Sequence, residues 1–200
     1  MIFNINEVYQ FKISLKNTKP LIWRRIVVPS NYSFWDLHVA IQDSMGWLDY
    51  HLHVFEILNP ETNIKVEIGI PDEEYDARNR KVLPDHKEII SKYFNENNRN
   101  AVYEYDFGDS WKHTLKLEKI LPASIGEKYP KCIAGKMACP PEDCGGIHGY
   151  YNLLKVLSDP DNEEYDEMIE WLGGEFDPEI FDPQDVVFDD PKERWKQIDK

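Results

Sequence analysis

The stretch Val8-Tyr-Gln-Phe-Lys-Ile-Ser-Leu-Lys16 alternates apolar and polar side chains, and its reading decides the fold. Side chains of an extended chain point alternately to opposite faces, so Tyr9, Phe11, Ile13 and Leu15 share one side and Gln10, Lys12, Ser14 and Lys16 the other. That is a half-buried strand. Asn17 to Pro20 supplies a turn, and Leu21 to Val28 reads as the second strand of a hairpin. A helix is predicted from Phe34 to Met45. Ser33 can accept a hydrogen bond at its N-cap, Phe34, Leu37, Ile41 and Met45 form its apolar stripe, and Gly46 suits the left-handed position that closes it.

Downstream, His51 to Leu58 and Ile64 to Ile68 read as strands, 71–85 as a polar surface loop, and Asp85 to Phe94 as a short helix. Val102 to Phe107 and Trp111 to Ile120 flank Gly108-Asp109, a strong hairpin signal. Residues 122–146 hold all three cysteines among prolines and glycines and read as irregular. Two helices follow, from about His148 to Leu157 and from about Glu163 to Leu172. A ββα opening, further hairpins and then helices make an α+β fold with a mixed, largely antiparallel sheet, not alternating βαβ units. The division expected is an α+β body over 1–158, including a Cys-rich loop at 129–149, with an acidic helical segment over 159–200 docked on it. Phe176, Ile180, Phe181, Val187 and Phe188 supply the apolar side chains for that docking.

Composition removes whole classes of function. At 42% hydrophobic and 13% aromatic the chain is too apolar to stay disordered. No apolar run reaches the roughly 18 residues of a membrane helix, and Met1 to Lys12 lacks the pattern of a signal peptide. Three cysteines fit a reducing cytoplasm better than a disulfide scaffold. The formal charge of −14 argues against a coat for phosphate backbones, which needs clustered Lys and Arg. That charge is local, however. Residues 159–190 hold 14 Asp or Glu and no Lys or Arg, so the rest of the chain sums to zero.

Several constellations could carry chemistry. Cys132, Cys139, Cys144 and His148 offer the thiolates and imidazole that zinc favours, although six residues separate the first pair. Three reduced cysteines packed under a loop are the plainer reading. His51 and His53 would share a face if both lay on a strand, and His113 could join them in a second metal set. Asp106 and Asp109 flank a glycine turn near Glu104 and could hold a cation for hydrolysis, with His113 as a third member. Asp is also the ordinary residue of such a turn, where its side chain bonds the backbone. Gly145-Gly146-Ile-His-Gly149 opens a helix and could offer amides to an anion. Ile22-Trp-Arg-Arg25 carries two arginines suited to phosphate or to internal ion pairs, with the acidic segment as a source of carboxylates for the latter.

Taken together, Val8-Tyr-Gln-Phe-Lys-Ile, Pro20-Leu-Ile-Trp-Arg-Arg-Ile, Met45-Gly-Trp, His51-Leu-His-Val-Phe, Tyr105-Asp-Phe-Gly-Asp-Ser-Trp-Lys-His113, Leu117-Glu-Lys-Ile120, Tyr129-Pro-Lys-Cys132 and Ala138-Cys-Pro-Pro-Glu-Asp-Cys-Gly-Gly146 resemble one family. It is the plasmid pRiA-type open-reading-frame-three-like family, whose members are also labelled passenger or resolvase-like proteins of insertion elements. The resemblance spans about residues 7–190 and implies an α+β domain with no established activity. Nothing in the residues supports a recombinase: no nucleophilic serine stands among arginines, and no Arg-His-Arg-Tyr set is present. The expected function is a cytoplasmic, non-catalytic binding module with protein or nucleoprotein partners from a mobile-element setting, with zinc stabilising the Cys-rich loop as an option. A metal-dependent hydrolase or nuclease using Asp106, Asp109 and His113, and a DNA-binding accessory protein, are the alternatives.

Overall fold

In the computed structural model, which describes residues 7–71 and 81–198, the opening alternation becomes strand β1 (Glu7–Leu15), paired antiparallel with β2 (Trp23–Pro29). Helix α1 (Phe34–Met45) follows with the predicted ends. The Ser33 side chain accepts from the Asp36 amide, Asp36 accepts from the Ser33 amide in return, and Gly46 turns left-handed at φ 97°. The chain continues through β3 (His53–Asn59), β4 (Ile64–Gly69), β5 (Val82–Pro84), a 3-10 turn (Ile90–Lys92), β6 (Asn100–Tyr105), β7 (Trp111–Pro122) and β8 (Lys131–Lys136). Helices α2 (Gly146–Leu157), α3 (Tyr165–Leu172) and α4 (Pro191–Ile198) complete the described chain.

The strands form one sheet in the order β5-β4-β3-β6-β7-β1-β2-β8. Every pairing is antiparallel except β4 with β5. The fold is α+β. One face carries the core: Phe11, Ile13, Leu15, Phe55, Tyr103, Trp111, Leu115 and Leu117 lie buried there beneath α1. Phe34 from α1 meets Phe55 edge-on at 5.1 Å, and Phe94 meets Phe11 at 4.8 Å. The opposite face bears Lys12, Arg25, Lys112, Lys116 and Glu118, all half-buried or exposed, and no helix among the described residues covers them.

Three local readings differ from the structure. The expected helix at Asp85–Phe94 is only the 3-10 turn, preceded by β5. Residues 72–80 of the expected surface loop lie outside the described residues. The Cys-rich stretch contributes β8, because the free edge of β2 offers it backbone partners that its own non-alternating sequence does not announce. Finally, α4 was not anticipated.

The acidic segment is tied down at several points. Ala138 donates its amide to the Pro178 carbonyl, and the Phe181 ring lies 3.6 Å from the Arg24 guanidinium. Arg194 ion-pairs with Asp43 at 2.6 Å, and Trp195 packs edge-on against Trp35 at 5.0 Å. No helix among the described residues is long and apolar enough to cross a membrane.

Candidate metal centre

Three loops meet at one end of the sheet: Trp47–His51 after α1, the 106–110 turn between β6 and β7, and the Pro140–Gly146 turn before α2. Each is fastened to another by a specific bond. The Trp47 indole N–H donates to the Pro140 carbonyl at 3.0 Å. Glu142 accepts from the Leu48 amide at 2.7 Å and from the Tyr105 hydroxyl at 3.1 Å, while that hydroxyl accepts from the Tyr50 amide. The Gly145 amide donates to Asp109 Oδ2 at 3.1 Å. A side chain at Gly146 (φ 65°) would place its Cβ 2.6 Å from the Asp109 carbonyl, so only glycine allows the turn to sit this close.

At this junction stand His51, Asp106 and Asp143. His51 Nε2 lies 2.9 Å from Asp143 Oδ1 and 3.7 Å from Asp106 Oδ2, and the ligand atoms of all three lie within 4.8 Å of one another. Among the described residues this is the one group of three His, Cys or carboxylate side chains so arranged. His51 Nε2 is itself shielded from solvent and makes no aligned hydrogen bond. Asp106 divides its work: Oδ1 accepts from the Gly108 and Asp109 amides, and Oδ2 faces the imidazole. Asp106 and Asp143 both sit at φ 54°, a left-handed conformation that Asp tolerates better than most residues. One imidazole and two carboxylates form a donor set for a divalent ion such as Zn²⁺ or Mn²⁺. Burial pushes the neighbouring Glu142 carboxyl up, while its hydrogen bonds oppose that rise. A groove of about 240 Å³ adjoins the junction, lined by Asp143, Cys144, Leu153, Glu167, Met168 and Trp171.

The sets expected from sequence are distributed differently. Cys132, Cys139, Cys144 and His148 do not bring three ligand atoms together. Cys132 points its thiol at the Ala134 carbonyl, and His148 is exposed on α2. Burial raises all three thiols, that of Cys144 to about 12. His51, His53 and His113 do not converge either. Strand β3 begins at His53, so the alternation that would align His51 with it does not extend that far. His113 lies in the core between Tyr103 and Trp47, each ring centre 5.3 Å away, and burial holds it down at about 3. Asp106, Asp109 and His113 likewise form no common set: Asp106 caps its own turn, Asp109 accepts the Gly145 amide, and the imidazole is buried in the core. Asp109 also occupies the amide at the start of α2, where the glycine run suggested an external anion.

A second polar cluster lies inside the body. The His38 and His53 rings stack at 3.5 Å and 10°. His38 Nε2 lies 2.7 Å from Asp49, and its Nδ1 lies 2.9 Å from the Tyr103 hydroxyl. The Gln42 side chain donates to that same hydroxyl, leaving its proton for Nδ1; this assigns the proton on His38 to Nε2. Burial, with His53 second, lowers His38 to about 4, so it is neutral and structural. His53 Nε2 lies 3.0 Å from Asp85 Oδ2, out of line for a straight hydrogen bond.

Sequence reasoning singled out His51 and Asp106, but in different sets, and passed over Asp143. The signal for it is the Pro-Pro-Glu-Asp turn itself, which places a carboxylate beside Cys144.

A family model described as plasmid pRiA4b ORF-3-like protein matches residues 7–185. Uncharacterized protein y4hQ of Sinorhizobium fredii is 35% identical over 174 residues, covering 84% of this chain and 82% of that one. The crystal structure of a protein of unknown function, MM3350 from Methanosarcina mazei Go1, matches with a TM-score of 0.85 and 49% identity, over 92% of this chain and 99% of that one.

Proposed function

The chain belongs to the plasmid pRiA4b ORF-3-like family, and we propose that this member is a cation-organised, non-catalytic binding module of the cytoplasm. The observation that carries the reading is the convergence of His51, Asp106 and Asp143 at the junction of three loops. A divalent ion there would neutralise two carboxylates and brace loops that backbone bonds already hold close. The adjoining Asp143–Trp171 groove would seat the protein or nucleoprotein partner. Three of the segments that carry the family resemblance, Met45–Trp47, Tyr105–His113 and Ala138–Gly146, border this junction, and His51 opens a fourth. Against the hydrolase reading, the Asp109 carboxylate accepts the Gly145 amide and His113 is buried in the core.

Metal analysis of untagged, chelator-free protein tests the proposal. About one divalent ion per chain is expected, lost in His51→Ala and Asp143→Ala and retained in Cys139→Ser. Asp106→Asn is the informative third variant, because an amide oxygen can still cap the turn while the charge is gone. No ion at saturating Zn²⁺ or Mn²⁺, or loss of the ion in Cys139→Ser alone, would overturn the site. Metal-dependent cleavage of a phosphodiester, abolished in His51→Ala, would overturn the non-catalytic reading.

A further inference from the structure

Away from the junction, the uncovered face of the sheet carries a row of cations. Lys116 on β7 stands directly opposite Lys12 on β1, and Lys12 stands directly opposite Arg25 on β2. Like charges opposite one another on neighbouring strands repel, and the carboxylate of Glu118 offsets this at Arg25 and in part at Lys12 while Lys116 has no ion-pair partner among the described residues. Trp23 lies beside this row on the same face. Its ring has Lys12 Nζ at 4.9 Å and the Arg25 guanidinium carbon at 5.1 Å, and Lys136 is its cross-strand partner on β8. A groove of about 470 Å³ continues the surface past Lys119 and the exposed Ile133. The opposing carboxylate in this groove is Glu118, which accepts two hydrogen bonds from Arg25 and one from Gln10. Among the described residues Lys12, Lys116, Lys119 and Lys136 form no ion pair.

We propose that this face binds single-stranded nucleic acid, the row Lys116–Lys12–Arg25 tracking phosphates and Trp23 offering a ring for an unpaired base to stack on. Adjacent strands lie about 4.8 Å apart, so the row spans roughly 10 Å, enough for two or three consecutive phosphates. An aromatic ring set among cations is the pairing used by surfaces that hold single strands without reading sequence. A duplex keeps its bases stacked and would leave Trp23 without a partner. The chain's own acidic segment does not cover the row. Phe181 contacts Arg24 and Gly135 on the core side of β2 and β8, and Asp189 and Arg194 engage Asp43 on α1. The net charge of −14 is therefore segregated: residues 159–190 hold it, and the sheet face opposite the core is locally basic.

Fluorescence anisotropy of a labelled 20-nucleotide single strand with the full chain tests this. Micromolar binding is expected at 50 mM salt, weakening about tenfold by 200 mM as counterions are released from some two or three phosphate contacts. Lys12→Glu with Lys116→Glu should abolish it, Lys12→Gln with Lys116→Gln should weaken it about tenfold, and Trp23→Ala should weaken it about tenfold. All these positions lie on the uncovered face, and circular dichroism checks that the variants fold. Val187→Ala, at an exposed position of the acidic segment, should leave binding unchanged. Absence of binding at 50 mM salt, equal binding by the charge-reversed variant, or tighter binding of duplex or of polyglutamate would each overturn the proposal.

Discussion

The two faces of β7 are built from alternate residues of one strand and answer to different physics. Trp111, His113, Leu115 and Leu117 are fully buried, while Lys112 and Lys116 are exposed and Thr114 and Glu118 half-exposed. On the first face every atom has neighbours, so shape and hydrogen-bond satisfaction set stability. On the second, water supplies the partners, and a cation can stand beside a cation at modest cost. The core face therefore reports on folding, whereas the uncovered face is free to carry binding.

The sharpest break in that comparison would come from Phe11, which is buried against Phe94. Phe11→Ala should lose about 3–5 kcal/mol in urea unfolding, from transfer and the cavity left behind. A loss near zero would mean that the core is not packed as described. Arg24 is the next probe, because it is a cation on the wrong face. It is 1% exposed and donates to the carbonyls of Ser44, Trp23, Lys136 and Met137. Arg24→Met keeps much of the bulk but leaves those acceptors without that donor, with an expected loss of about 3 kcal/mol. Full stability in this variant would show that hydrophobic packing, not the carbonyl cage, holds β2 to β8.

Acid titration distinguishes the faces by a different property. Burial keeps His113 at about 3 and His38 at about 4, against about 6.5 in an unfolded chain. The unfolded state therefore takes up protons first. The contribution of these groups is complete above about pH 6.5 and falls as the pH drops toward the folded values, by about 1.4 kcal/mol per pH unit for each histidine. His113→Phe should flatten that slope by one proton and leave stability at pH 7.5 unchanged or raised, since neither ring nitrogen has an aligned hydrogen bond. An unaltered slope would assign the acid sensitivity to other groups. The smallest effect belongs to the uncovered face: Lys116→Gln should shift stability by at most about 0.5 kcal/mol, toward stabilisation as repulsion with Lys12 is relieved. A larger loss would mean that this face is also structural.

Local signals were legible wherever one short segment carries the whole cause. The β1–β2 hairpin, the boundaries of α1 and the turn between β6 and β7 follow from alternation, caps and turn chemistry. Even α4 had its signal, since Asp190 accepts the Lys192 amide and Pro191 occupies the first helical position. Strand β8 had no such signal, because its cause is the edge of β2. The candidate metal centre was half legible: His51 and Asp106 are conspicuous residue types, but the third member comes from a turn 37 positions beyond Asp106.

By itself, the sequence determined the α+β class, the half-buried strands and the confinement of the negative charge to 159–190, because periodicity and composition are properties of the chain alone. Only the tertiary structure decided which charges meet. Folding sets Lys116, Lys12 and Arg25 in one row, brings His51 to Asp106 and Asp143, and seals His38, His53 and His113 in the core. Those outcomes depend on strand register and loop closure, which couple residues far apart in the chain through packing that no local pattern encodes.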